Sequence, residues 1–157
     1  MFMVDLNNIR ERTVDAIEYI EEMEGKNGDL FRDFYEEYKL DPKTTDELKQ
    51  WSDKITIVVL SASWCKDCRF AIPVLRHLQE QIGFEVRVFG KIKTDPLNPD
   101  RQWAIPPSPP EADEWNVKAI PWIVIFNKKG EKMATIIEKP ETQPTLEAEI
   151  AHVLRDK

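Results

Sequence analysis

"ITIVVLSASWCKDCRFAIPVL", residues 55–75, joins a continuous apolar run to the only two cysteines of the chain. The run "ITIVVLSAS" is too rich in β-branched and apolar residues for a strand with one solvent face, so it predicts a central strand that is covered on both faces. Cys65 and Cys68 follow at the C-terminal end of this strand. A helix from about residue 66 to residue 81 is predicted next, although Pro73 lies inside it.

Further strands are predicted downstream of this helix. "FEVRVFGKI", residues 84–92, completes a strand–helix–strand unit with parallel strands and a right-handed crossover. "PWIVIF", residues 121–126, and "EKMATIIE", residues 131–138, are joined by the turn "NKKG" and predict a β-hairpin. Pro144 is expected to open a last helix. The pattern predicts an α/β fold with a mixed sheet flanked by helices.

The N-terminal third of the chain carries helical patterns. Side chains at three- and four-residue spacing predict one amphipathic helix that ends near Gly25: Leu6, Ile9, Thr13, Ile17, Ile20 and Met23. An aromatic-rich second helix is predicted over residues 30–38. A short third helix from Thr45 or Asp46 should reach Trp51.

Length and charge limit the number of domains and the class of partner. The 157 residues, 41% of them hydrophobic, suffice for one core, and we interpret residues 1–53 as a helical extension packed on a main domain of residues 54–157. A partner-docking surface is the alternative for the aromatic stripe of the extension. A formal net charge of −7 gives no broad attraction for nucleic acid or anionic membranes.

The start of the chain and the placement of the cysteines predict the cellular compartment of the protein. Charged residues interrupt residues 1–23, where a secretory signal needs an unbroken apolar run, and no stretch approaches the roughly 20 apolar residues of a membrane span. Both cysteines lie in one motif, as in a reactive or metal-binding pair of a reducing compartment. We therefore expect a cytoplasmic protein that acts as a monomer.

Residues 93–111 hold six of the eleven prolines of the chain. This composition cannot sustain a helix or a strand ladder, so it predicts a long, ordered or partly ordered loop. A proline-rich recognition ligand of the kind that SH3 domains bind is the alternative.

The cysteine spacing itself indicates dithiol chemistry. Two cysteines at i and i+3 in the first turn of a helix are close enough for a disulfide, and Cys65 is the one expected to point outward. Free backbone N–H groups and the positive end of the helix dipole favour its thiolate form. Lys66 would favour the thiolate further and Asp67 would oppose it, so their net effect stays open. Cys68 is placed to attack a mixed disulfide formed on Cys65.

The ordered set of motifs resembles the thioredoxin superfamily. The set comprises "WCKDC" after a buried strand, Pro73 five residues past the second cysteine, and "AIPWIVIF" leading to a "KKGE" hairpin. The resemblance covers roughly residues 55–157 and implies a thioredoxin-like fold to which the N-terminal helices are added. It also implies a cis bond before Pro121, contact of Ile120 and Pro121 with substrate, and a helix bent at Pro73 so that its first turn stands at the surface.

This sequence departs from the family pattern at several positions. Lys66 and Asp67 replace the usual Gly-Pro between the cysteines, and Val59 stands where the family carries a buried acidic residue six positions before the first cysteine. Lys91 matches a lysine near that site in the family and is a candidate to assist Cys68. No glycine follows Gly130, where the family pattern has one that leaves room for substrate.

The sequence therefore predicts a thiol–disulfide oxidoreductase of cell redox homeostasis. Cys65 attacks a protein or small-molecule disulfide, Cys68 resolves the mixed disulfide, and an electron-donating reductase restores the dithiol. We expect no cofactor besides the redox-active disulfide, and no metal. The alternatives are a non-enzymatic interaction module on the same fold and a metal-handling dithiol protein. Trp64 and Trp122 flank the two motifs, either as packing residues or, for Trp64 above all, as a wall of the substrate groove.

Overall fold

The computed structural model describes residues 2–157. Its helices are α1 (Leu6–Arg12), α2 (Ala16–Glu22), α3 (Gly25–Glu37), α4 (Pro42–Leu48), α5 (Cys68–Ile82), α6 (Glu111–Glu114) and α7 (Leu146–Leu154), and its strands are β1 (Ile55–Leu60), β2 (Glu85–Phe89), β3 (Trp122–Asn127) and β4 (Lys132–Ile137). One four-stranded sheet has the order β2-β1-β3-β4. The first pair is parallel and the other two are antiparallel, so the predicted mixed α/β fold is confirmed. Among residues 2–157, no helix combines the length and the apolar character that crossing a bilayer requires.

Strand β1 lies in the middle of this sheet, as its apolar sequence predicts. All six of its residues are buried. It pairs with β2 on one side and with β3 on the other, where Val58 faces Arg87 and Val124 respectively. Because both neighbours hold it, the end of β1 at Leu60 has a fixed position, and the segment that carries the cysteines leaves the sheet from there.

Helix α5 connects β1 to β2 and carries the second cysteine. It begins at Cys68, two residues later than the sequence pattern predicts, because the residues from Ser63 to Asp67 form a turn that precedes the first regular helical residue. Pro73 lies inside the helix, where its ring nitrogen has no hydrogen to donate. Gly83 ends the helix in a left-handed conformation, with φ of 91°.

The single N-terminal helix expected from the sequence is wrong, because the chain forms two helices with an extended break between them. Val14 lies in this break and pairs with Val88 of β2: its carbonyl accepts from the Val88 N–H at 2.7 Å. Asp15 then caps α2, where its carboxylate accepts from the Glu18 N–H at 2.8 Å. Pairing with the open edge of β2 and capping by Asp15 together stabilise this break more than the continuous apolar stripe stabilises a single helix.

Two other helix starts differ from the sequence prediction for the same capping reason. Helix α4 begins at Pro42 and not at residue 45 or 46, because the carboxylate of Asp41 accepts from the Thr44 N–H at 3.1 Å. Helix α7 begins at Leu146, where the hydroxyl of Thr145 accepts from the Ala148 N–H at 3.2 Å. Pro144 therefore lies just before the cap and does not open the helix itself.

The N-terminal helices share the core with the sheet. Ile20, Phe31 and Leu48 are completely buried and belong to the same hydrophobic cluster as the residues of β1. The ring of Tyr19 meets the edge of Phe31 at a centroid distance of 6.0 Å. The N-terminal helices are thus held by apolar contacts within the common core. The division of the chain between residues 53 and 54 stays a prediction.

A charged cluster fastens α1 to the sheet. Glu85 of β2 accepts two hydrogen bonds from the Arg10 guanidinium, at 2.7 and 2.8 Å. It also accepts from the Thr56 hydroxyl at 2.7 Å and from the Lys128 ammonium at 3.2 Å. The bonds from Arg10, together with those from Thr56 and Lys128, lower the pKa of Glu85 to about 2.

Replacing Phe31 by Ala tests how much the N-terminal helices stabilise the protein. We expect the free energy of unfolding to fall by about 3–5 kcal/mol, because loss of a fully buried ring leaves a cavity where α3 packs on α2 and α5. Urea denaturation followed by circular dichroism measures the loss. The matched control is Leu97→Ala at a side chain that is 90% exposed, which should change the free energy by less than about 0.5 kcal/mol. A near-neutral Phe31→Ala would show that the helices do not hold the domain together.

The low pKa of Glu85 predicts a loss of stability in acid. Its folded-state pKa of about 2 lies below the ordinary value of 4.5, so its stabilisation is complete above about pH 5 and disappears as the pH falls toward 2. Since its side chain is 26% exposed, we expect Glu85→Gln to cost about 1–2 kcal/mol at pH 7 and much less at pH 2.5. Urea midpoints at the two pH values measure this, with the exposed Glu141→Gln as the control. An equal cost at both pH values would rule out the ionic cluster as the cause.

Candidate active site

The two cysteines come together in the turn between β1 and α5. Their Cα atoms lie 5.2 Å apart, a separation at which a disulfide forms without moving the backbone, and their sulfurs face each other near bonding distance. The Cys65 sulfur also accepts from the Cys68 N–H at 3.2 Å. This N–H belongs to the first turn of α5, whose donors have no partner within the helix. The helix start therefore stabilises negative charge on Cys65.

The sulfur of Cys65 is more covered than the sequence suggests. The exposed fraction is 6% for Cys65 and 0% for Cys68, so the expected exposed position of Cys65 is wrong, although the order of the two is as expected. The cover comes from the loop that leads into β3, where the Ile120 carbonyl lies 3.6 Å from the Cys65 sulfur. The side of Cys65 that remains open lines the cavity beside it.

The Ile120–Pro121 segment forms the wall opposite the cysteines. The peptide bond between these two residues is cis, and both side chains are buried. The Pro121 carbonyl accepts from the Glu138 N–H at 2.8 Å, which ties the segment to the residue that follows β4. The structure thus brings Ile120 to the cysteine pair, as the site prediction requires, and adds Glu138 to the same region.

A cavity of about 300 Å³ opens beside the cysteine pair, and we call it the dithiol cavity. It is lined by Trp64, Cys65, Lys66, Asp67, Trp103, Lys118, Ala119, Ile120 and Glu138. The side chain of Trp64 is 48% exposed, so its indole offers apolar surface to anything that enters. Lys66 is exposed and Asp67 is half-buried at the same opening, where the two bring opposite charges next to the sulfur.

Sequence reasoning missed four residues of the dithiol cavity. Trp103 comes from the proline-rich loop, and the sequence signal for it is a lone indole in a polar stretch. Lys118 and Ala119 directly precede Ile120, so closeness to the Ile-Pro pair points to them. Glu138 has no local signal, because its position depends on the pairing of β3 with β4.

Two residues considered for proton transfer lie away from the cavity. Val59 is completely buried in β1, in register with Val88 and Ile123, so this position offers no proton acceptor. Lys91 is exposed and lines a different cavity together with Ser63 and Tyr19. A role for Lys91 beside Cys68 therefore stays a prediction.

Trp122 and the histidine of α5 have packing roles. Trp122 is half-buried at the start of β3, in register with Leu60, and it does not line the dithiol cavity. His77 is buried, with its Nε2 2.8 Å from the Tyr35 carbonyl and its Nδ1 3.0 Å from the Gln81 amide. In the part of the chain that the structure describes, His, Cys, Asp and Glu side chains form no group of three or more suited to a metal ion.

Alkylation rates test the unequal exposure of the cysteines. In the reduced protein we expect iodoacetamide to modify Cys65 at least about tenfold faster than Cys68, because Cys65 lines the cavity and accepts a helix N–H while Cys68 is fully buried. Mass spectrometry of peptides from a time course measures each rate. The urea-unfolded protein, in which both cysteines should react alike, is the control. Similar rates in the folded protein would contradict the assignment of Cys65 as the attacking thiol.

Solved structures resemble this fold over nearly the whole chain. A protein of unknown function from Pseudomonas aeruginosa has a TM-score of 0.67 with 15% identity, and covers 98% of this chain and 90% of its own. An HIV epitope-scaffold has a TM-score of 0.68 with 13% identity, and covers 96% of this chain and 88% of its own. At such identities the likeness shows the fold alone, and it extends over the N-terminal helices.

Sequence relatives and a family model identify the family. Thioredoxin M-type, chloroplastic, of Brassica napus is 35% identical over 94 residues, 60% of this chain and 46% of the relative. Thioredoxin Y, chloroplastic, of Oryza sativa subsp. japonica is 30% identical over 81 residues, 52% of this chain and 41% of the relative. The chain therefore spans less than half the length of each of these two chloroplastic relatives. Thioredoxin H3 of Arabidopsis thaliana is 34% identical over 95 residues, 59% of this chain and 69% of the relative. Because the family model described as Thioredoxin matches residues 13–151, most of the chain and the cysteine pair included, this protein belongs to the thioredoxin family.

Proposed function

We propose that this protein is a thiol–disulfide oxidoreductase that reduces protein disulfides through Cys65 and Cys68. The observation that carries the proposal is the position of the Cys65 sulfur, which accepts the first helix N–H and borders an open cavity opposite the Ile120 backbone. A thiolate needs both this stabilisation and this access to act as a nucleophile. Family membership supports the same chemistry.

The reaction transfers two electrons from the dithiol to the client. The Cys65 thiolate attacks one sulfur of the client disulfide, so a Cys65–client bond forms while the other client sulfur leaves as a thiolate and takes up a proton. The Cys68 thiol loses its proton and attacks the Cys65 sulfur. The second client sulfur leaves as a thiolate, and the Cys65–Cys68 disulfide remains.

The residues around the sulfur have distinct roles in this reaction. The Cys68 N–H holds the negative charge of the Cys65 thiolate before attack. Ile120 borders the path along which a client segment approaches, Pro121 follows it behind the cavity lining, and Trp64 offers apolar contact. Lys66 favours the thiolate and Asp67 opposes it, so the two side chains act in opposite directions on the reactivity of Cys65.

The protein needs a partner that supplies electrons after each turnover. We propose a dithiol donor such as a reductase, which returns the Cys65–Cys68 disulfide to the reduced state by the same exchange chemistry. The confinement of both cysteines to one motif supports a reducing compartment such as the cytoplasm. We also propose that the chain works as a monomer.

A non-enzymatic interaction module is the second candidate function. The buried Val59 favours it, because no acidic side chain at that position can take the proton of Cys68. An insulin reduction assay separates the two functions. The oxidoreductase turns over insulin disulfides when dithiothreitol regenerates it, whereas the interaction module gives only the background rate of dithiothreitol.

Replacing Cys68 by Ser should trap client proteins on Cys65. We expect this variant to attack client disulfides and stop at the mixed disulfide, because the fully buried position next to the Cys65 sulfur then carries no thiol. Non-reducing gels of a cell extract passed over the immobilised variant measure the trapped species, which dithiothreitol should release.

Cys65→Ser is the matched control for this experiment. It keeps one cysteine of the pair, but that cysteine is the buried one, so we expect it to trap nothing. Trapping by Cys65→Ser at the level of Cys68→Ser would reverse the two roles. Absence of trapping by both variants, together with no turnover of insulin, would favour the interaction module.

A further inference from the structure

A second cavity, which we call the flanking groove, lies next to the dithiol cavity. Its apolar walls include Phe34 of α3, Tyr38 directly after α3, Phe70 of α5, and Pro140 and Pro144 of the segment before α7. Its volume is about 240 Å³, room for one large side chain. Phe70 is 47% exposed, so its ring offers apolar surface at this groove together with Phe34 and Tyr38.

The walls of the flanking groove are held in place by contacts with one another and with Glu147 of α7. The ring of Phe34 meets the Phe70 ring edge-to-face at a centroid distance of 4.9 Å, and lies 5.4 Å from the Tyr38 ring. The Tyr38 hydroxyl donates at 2.6 Å to the carboxylate of Glu147, which is completely buried in α7. The groove is therefore pre-formed, and an apolar group that enters it meets little cost of reorganisation.

The flanking groove and the dithiol cavity are neighbours that share part of their lining. Asp67 and Glu138 line both of them. Asp67 directly precedes Cys68, and the Glu138 N–H bonds to the Pro121 carbonyl at 2.8 Å, so both residues of the junction are attached to the cysteine site. A molecule bound to Cys65 has a direct path along this junction into the groove.

We propose that the flanking groove binds a large apolar or aromatic side chain of the client polypeptide, a few residues from the cysteine that Cys65 attacks. The inference rests on the proposed function and names its substrate class, namely extended polypeptides with an apolar residue beside the disulfide. A chain molecule is the occupant that fits, because it fills both cavities at once. A small disulfide fills the dithiol cavity alone.

The construction of the groove explains the substrate preference. Helix α3 and the residue that ends it supply Phe34 and Tyr38, so the N-terminal segment makes one wall and α5 the other. The reacting sulfur is common to all clients, and burial of an apolar side chain in the groove adds affinity for some of them. The groove thus selects among disulfides that the dithiol could otherwise reduce alike.

A peptide series tests the proposal. The probes are acetylated glycine heptapeptides with one central cysteine, joined through a disulfide to 5-thio-2-nitrobenzoate, and each member carries one Phe at a different distance from that cysteine. The pre-reduced wild-type protein is mixed with each probe in a single turnover, in which one dithiol releases one nitrothiobenzoate and one peptide thiol, read by absorbance. We expect one or two adjacent Phe positions to react about tenfold faster than the all-glycine probe.

Variants at the groove show whether the faster reaction of the favoured Phe probes depends on the groove. Phe70→Ser should bring the ratio of the rate for the favoured Phe probes to the rate for the all-glycine probe close to one. Phe70→Leu should restore most of the wild-type ratio. Leu97→Ser replaces an apolar side chain that is 90% exposed in the proline-rich loop, and it should leave both rates unchanged. Melting temperatures show that the variants are folded.

The possible outcomes distinguish failure of the groove proposal from failure of the proposed oxidoreductase function. Reduction of every probe at one rate, an equal gain at all Phe positions, or a gain that persists in Phe70→Ser would overturn the groove while leaving the oxidoreductase intact. Release of no nitrothiobenzoate from any probe would overturn the proposed function, and the groove proposal with it.

Discussion

The buried central strand β1 is the constraint on which the rest of the molecule depends. Its six residues are covered on both faces and paired on both edges, so the strand has no freedom of register or tilt. A shift of one residue would turn every side chain to the opposite face. The turn that carries Cys65 starts from the end of this strand, and the position of the sulfur is therefore set by the most tightly held element of the sheet.

The N-terminal helices also help to fix the elements around the cysteine site. Phe31 and Ile20 fill the core beside α5, while Phe34 of α3 and Tyr38 directly after it border the groove next to the cysteines. One segment thus supports the helix that carries Cys68 and also shapes the surface near it. Core packing and the shape of the groove are consequently linked, because a change that moves α3 alters both.

Local patterns in the sequence predicted the fold well, and long-range contacts account for what they missed. The apolar run at residues 55–60 and the CxxC spacing depend on neighbouring residues alone, so they identify β1 and the dithiol without a structure. The break at Val14 depends on a partner, Val88, that lies far along the chain. Glu138 reaches the cavity through strand register, and the burial of Cys65 depends on the loop at Ile120. None of these three leaves a pattern in its own neighbourhood.

The strand-like pairing of the N-terminal segment has a consequence for self-association. Val14 pairs with β2 at one edge of the sheet, and the Phe2 carbonyl accepts from the Lys132 N–H at the other, with Met3 bridged to Glu131 beside it. Unpaired backbone groups at such edges are where copies of a chain add to one another and begin to aggregate. By occupying part of both edges, a single segment limits intermolecular strand addition. A protein clipped within its first residues would expose the β4 edge, while Val14 would still cover part of β2 and the dithiol would remain.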